Sequence, residues 1–141
     1  MQMFTGSDER QLDPKGRVAL PVSYRERLKP RCFVTFGQDM CLEVLTEQAS
    51  KDVLEEMAEA VKRGERHKAE LRVVSANMAE TVLDAQGRIT LNETLRSYAG
   101  LTPGQQLIVA GAYDRIELWD PERFARMSAI GTGQIAGEGN R

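Results

Sequence analysis

With 141 residues, 41% of them hydrophobic and 28% charged, and a net charge of −2, the chain has room for one ordinary domain or for two small halves sharing a core. No apolar run approaches the roughly 20 residues needed to cross a bilayer. The opening "MQMFTGSDER" has neither the basic nor the apolar region of a secretory signal, so a cytoplasmic protein is expected. Two cysteines, Cys32 and Cys41, and a single His67 are too few for a disulfide framework or a zinc set. The thiols read as small core residues, and His67, in a charged stretch, as solvated.

The dominant feature is an internal repeat. "LDPKGRVALP" at 12–21 returns as "LDAQGRITLN" at 83–92, with Leu12, Asp13, Gly16, Arg17, Leu20 and Arg25 matching Leu83, Asp84, Gly87, Arg88, Leu91 and Arg96 at an offset of 71. After an insertion near "AGLTPG" the offset becomes 74, and "FVTFGQDMCLEVLT" (33–46) matches "LIVAGAYDRIELWD" (107–120). Two copies at so long a period mean duplication of a small fold.

In chain order, each copy reads as strand, tight turn, strand, short helix and hairpin. Asp13, Pro14 and Gly16 occupy the first, second and fourth places of a type I turn, and Asp84 and Gly87 repeat the pattern. "RVAL" and "RITL" are strand formers. Short helices are expected at about 21–28 and 92–99, with Pro21 in a first turn and Asn92 as N-cap, and hairpins at 32–45 and 106–119. Between the copies, Val53, Leu54, Met57, Ala58 and Val61 recur at helical spacing over 47–63, with Thr46 as cap and Gly64 as stop. "ERHKAELRVVSANM" is ambiguous between helix and strand. Asp120 and Pro121 start a helix over "ERFARM", and the glycine-rich stretch after it is expected to be disordered.

No nucleophile elbow, phosphate loop or metal-ligand pair is present, and no enzyme or cofactor is expected. Asp13 and Asp84 could form an acid–base pair only by giving up the turn amides that such an Asp caps. The charge is uneven: residues 7–31 carry seven basic against four acidic side chains, net +3, whereas 79–124 carry four against seven, net −3. Two readings of the arginines stand. Arg17 and Arg88 can close salt bridges to Asp13 and Asp84, or, with Lys15, Arg10 and the Arg25–Arg31 run, they can contact phosphates and base edges of nucleic acid. A basic half and an acidic half also suit head-to-tail contact between identical chains, which closes into rings.

The segments "MFTG", "LDPKGRVALPVSYRE", "CLEVLTEQ", "LDAQGRITLNETLRSYAGL" and "RIELWDPERF" together resemble the MraZ family of bacterial transcriptional regulators, over about residues 3–126. The resemblance implies an α+β fold in which duplicated AbrB-like hairpin and short-helix units form a pseudo-twofold, β-barrel-like core with a connecting helix. Its divisions would be a first AbrB-like (SpoVT-AbrB) repeat at 5–48, a connecting helix and linker at 49–78, a second repeat at 79–126 and a disordered tail at 127–141. It further implies a nucleoid-associated homo-oligomer, a ring such as an octamer, that binds short direct repeats in double-stranded DNA upstream of the division and cell wall gene cluster, including its own promoter. Neither a small-molecule substrate nor a membrane partner is implied.

DNA contact carries over to Arg17 and Arg88, with Lys15 on the DNA-facing turn and Arg10 and Arg25 beside it; Asp13, Gly16, Asp84 and Gly87 form the turns. Met3 is where family members usually begin. Two departures, Gln86 in place of Lys15 and Asn92 in place of Pro21, together with the acidic balance, make the second copy the weaker DNA binder. The alternatives are an AbrB-type antitoxin or transition-state regulator, and a ring scaffold that does not bind DNA.

Overall fold

Each Asp-x-x-Gly-Arg turn is flanked by strands that do not pair with one another. In the computed structural model, which describes residues 3–138, every strand pairs across the two copies or within a later hairpin. Strand β1 (Ser7–Gln11) runs antiparallel to β7 (Gln106–Gly111) of the second copy, and β2 (Arg17–Ala19) to β6 (Arg88–Thr90). In return, β5 (Ala79–Thr81) pairs with β3 (Cys32–Phe36) of the first copy. The hairpins β3–β4 (Leu42–Thr46) and β7–β8 (Ile116–Trp119) meet along β4 and β8.

The result is a six-stranded antiparallel sheet, ordered β1-β7-β8-β4-β3-β5, and a two-stranded ribbon, β2-β6. Exchanging the copies reverses the sheet order onto itself. The register locates the pseudo-twofold axis, because Val18 faces Ile89 and Glu43 faces Glu117, and each of these residues is opposite its own counterpart. The class is α+β as expected. The expected barrel is corrected: β1 and β5 are the edges of an open sheet and do not pair with each other among the described residues.

The ribbon closes one face of the core. Val18, Leu20, Ile89 and Leu91 point inward and pack with Leu12, Leu28, Val34, Val44, Leu95, Leu107 and Leu118, all essentially inaccessible to solvent. Alternation then sends Arg17, Ala19, Arg88 and Thr90 outward.

The helices keep to the expected segments. Helix α1 (Val22–Arg25) continues as a 3-10 turn through Leu28, α2 spans Glu47–Lys62 with Thr46 Oγ1 accepting from the Ala49 amide, and α4 spans Glu93–Ala99 with Asn92 as cap. The ambiguous segment forms helix α3 (Lys68–Asn77). His67 is its N-cap, with Nδ1 accepting from the Ala69 amide while Glu70 accepts from the His67 amide.

Helix α5 (Pro121–Ile135) corrects the expected disordered tail. Phe124 and Met127 anchor it on Trp119, Cys41 and Ala110, and the helix then propagates through the glycine-containing stretch to Ile135. The end of the expected tail, 139–141, and Met1 lie outside the described residues. Both cysteines are buried, and burial pushes the Cys32 thiol up to about 12 and Cys41 upward as well, as inert core thiols require.

Candidate nucleic-acid interface

Both turns are built alike. The Gly16 amide donates to the Asp13 carbonyl at 2.9 Å, and Asp13 Oδ1 accepts from the Lys15 and Arg17 amides, each at 2.9 Å. Arg17 Nε donates to Asp13 Oδ2 at 2.7 Å. In the second copy Asp84 Oδ1 accepts from the Gln86 and Arg88 amides at 2.9 Å, and Arg88 Nε donates to Asp84 Oδ2 at 2.7 Å. The Arg17 amide, with its guanidinium and the Lys15 amide, holds the Asp13 carboxyl below the usual carboxylate range against partial burial. The Arg88 amide and guanidinium do the same for Asp84.

These bonds join the two readings of the arginines. Each Asp accepts from the Nε of its own arginine, so the charge bridge orients the guanidinium of a residue that alternates with a buried one and stands on the outer face of the ribbon. Arg88 Nη1 also lies 3.9 Å from Asp13 Oδ2, linking the two turns. Beyond them the tips carry exposed Lys15 and Gln86.

The turns are also braced crosswise. The Leu20 amide donates to the Gly87 carbonyl at 2.9 Å, and the Leu91 amide to Gly16 at 2.8 Å. Arg25 Nε donates to the Leu20 carbonyl at 2.8 Å and its guanidinium lies over Gly87, where a Cβ would overlap it. Arg96 does the equivalent through the Leu91 carbonyl at 2.9 Å, lying against Gly16. Gly16 and Gly87 have φ of 79° and 73°, so both conformation and space call for glycine there.

The remaining basic residues of the first copy are drawn into local contacts. Arg27 stacks on the Phe4 ring at 3.6 Å, Lys29 pairs with Glu26 at 3.4 Å, and Arg31 bonds Glu47 at 3.0 Å and lies 3.7 Å from Glu80. Arg10 stands on β1, in the six-stranded sheet, bonded to Asp8 at 3.4 Å. Of these cations Arg10, Lys29 and Arg31 are paired with carboxylates, whereas Arg27 lies on an aromatic ring and Arg25 on a backbone carbonyl. Among the expected DNA-binding residues, the fold places Lys15, Arg17 and Arg88 on the turns and ribbon, Arg25 as a brace between the turns, and Arg10 on a sheet strand. Repeat matching already pairs Arg25 with Arg96, but their bracing depends on the exchange of strands. The inter-copy register also sets Ala19 opposite Arg88 and Thr90 opposite Arg17 on the outer face.

Among the described residues, no group of His, Cys, Asp and Glu could hold a metal ion, and no helix is long and apolar enough to cross a membrane. A family model described as "MraZ protein, putative antitoxin-like" matches residues 3–72 and 76–130. The chain is 38% identical over 122 residues to the transcriptional regulator MraZ of Arthrobacter sp. (strain FB24), covering 86% of this chain and 84% of that protein. It is 40% identical over 122 residues, with the same coverage, to the transcriptional regulator MraZ of Saccharopolyspora erythraea. To that of Nocardioides sp. it is 40% identical over 138 residues, covering 94% of this chain and 91% of that protein. Two interlocked Asp-x-x-Gly-Arg units, matched over both copies, place this chain in the MraZ family.

Proposed function

We propose that this transcriptional regulator, which is not an enzyme, acts by binding DNA sequence-specifically through the β2–β6 ribbon and its two turns. The observation that carries the reading is the pair of Asp-held arginines, Arg17 and Arg88, on one outward ribbon face beside Lys15. A two-stranded antiparallel ribbon fits the major groove of B-DNA, where an arginine fork can hold guanine O6 and N7 together. Fixing Nε by a carboxylate removes rotamer freedom before binding, so less entropy is lost on contact. Lys15 supplies a mobile cation suited to phosphate.

In the finer reading, short direct repeats in the protein's own promoter, ahead of division and cell wall genes, are held by a ring of copies in the cytoplasm at the nucleoid. Identical ribbons on a ring gain avidity when repeat spacing matches subunit spacing. Residues 5–48 and 79–126 would then mark sequence repeats joined by 49–78, rather than independently folding domains, because their strands are exchanged. The antitoxin reading is less favoured, since the single chain already completes the paired unit.

The test is a gel-shift on the DNA upstream of the protein's own gene. Arg17→Ala should lose binding at least about tenfold while light scattering reports the same assembly as wild type. Unchanged affinity would remove the central claim.

A further inference from the structure

The pseudo-twofold axis through Val18 and Ile89 relates the two outward halves of the ribbon, Lys15 to Gln86, Arg17 to Arg88 and Ala19 to Thr90. The arginines and their aspartates are identical in both halves, and their bond lengths agree. A reader with true twofold symmetry contacts a duplex equally well in either direction, which is why symmetric proteins read palindromes. Preference for one direction must come from positions where the symmetry is broken. On this face those with distinct polar chemistry are Lys15 against Gln86 and Ala19 against Thr90.

We infer that Lys15, Gln86, Ala19 and Thr90 set the direction in which the protein lies on its DNA site, while Arg17 and Arg88 supply contacts common to both directions. The inference rests on the DNA-binding reading above. The register opposes Arg17 to Thr90 and Arg88 to Ala19, so the two halves present Lys15–Arg17–Thr90 and Gln86–Arg88–Ala19. Their chemistries differ in kind. A lysine suits phosphate or guanine acceptors, whereas a glutamine carboxamide can hold adenine N6 and N7. Threonine offers a hydroxyl as donor and acceptor, whereas alanine offers only a methyl, which packs on the thymine methyl. The remaining difference at the tips, Pro14 against Ala85, adds no side-chain hydrogen-bonding group.

Full-length protein is titrated against two duplexes made from its own upstream region. One keeps the repeats found there, and the other inverts alternate repeats about their centres at unchanged spacing. Wild type should favour the unaltered array by about tenfold, the order of one base-pair mismatch, and Gln86→Lys with Thr90→Ala should bring the two arrays within about twofold. The opposite symmetrisation, Lys15→Gln with Ala19→Thr, should do the same, and either pair decides the matter if the other fails to fold. Equal binding of both arrays by wild type, or an undiminished preference in a folded symmetrised variant, overturns the inference and leaves the DNA-binding reading intact. Binding of neither array by wild type overturns that reading, and this inference with it.

Discussion

Val18 lies directly opposite Ile89 across the β2–β6 ribbon, and the two are the same position in the two copies, at 0% and 1% exposure. Burying each contributes about 1.5–3 kcal/mol, and both do so in a layer that neither copy has by itself. The copies therefore share one core and stand or fall together.

Because the strands are exchanged, damage in one copy should be felt in the other. Leu20→Ala, in the first copy, should cost about 2–5 kcal/mol, and the fluorescence of Trp119, in the second, should report the same urea midpoint as circular dichroism. A Trp119 transition that ignores the substitution would show independent halves.

Arg25 and Arg17 should separate by phenotype. Arg25→Ala removes the bond to the Leu20 carbonyl and the cover over Gly87, so it should lower the thermal midpoint, with DNA affinity falling less than for Arg17→Ala when both proteins are fully folded. Arg17→Ala should show the reverse pattern. An Arg25→Ala protein as stable as wild type but unable to bind would make Arg25 a DNA contact instead of a brace.

The turn aspartates should shape acid stability. Their carboxyls lie below the ordinary 3.8 because of the amides and guanidiniums of Arg17 and Arg88. A lowered folded value gives stabilisation that is present above the unfolded value and is lost as pH falls through the folded one. Asp13→Asn with Asp84→Asn should flatten the loss of thermal midpoint below about pH 4. An acid limb as steep as wild type would assign that loss to other carboxylates.

The second residue pair on the axis has the opposite sign. Glu43 faces Glu117 across β4 and β8 and is 7% exposed; burial raises its carboxyl, and the like charges of Glu117 and Asp114 add to this against Arg115, whose Nη1 lies 2.9 Å away. A raised folded value stabilises fully below the unfolded 4.5 and fades as pH rises through the folded one. Glu43→Gln should therefore steepen the acid limb. Arg115→Met should cost about 1–3 kcal/mol at neutral pH in wild type and less in the Glu43→Gln background. Additive costs in that double-mutant cycle would show the pair to be uncoupled.

Much of the local structure was legible from residues alone, because turns, caps and hydrophobic periods depend on near neighbours. Asp13 and Gly16 specify their turn, Asn92 and Asp120 their helix starts, and Val53 to Val61 the α2 stripe. The helix over 68–77 was ambiguous, since its apolar residues suit either period and its start depends on a His67 cap that reads as a solvated histidine. The helix beyond Met127 was hidden by glycines, whose local preference is overridden once Phe124 and Met127 dock on Trp119.

By itself the sequence determined that a small fold is duplicated, where its turns lie, and which residues carry charge on them. Tertiary structure decided which copy each strand pairs with, since a strand's alternation marks its buried face but does not name its partner. That choice brings Glu80 beside Arg31, sets Arg25 and Arg96 as crossed braces, and puts Arg17 and Arg88 on one ribbon around a shared axis. Charge counted along the chain suggested a basic half. Charge placed in space sets two Asp-held arginines on one ribbon with one lysine at its tip, because the exchange of strands brings Arg17 and Arg88, distant in sequence, onto the same face.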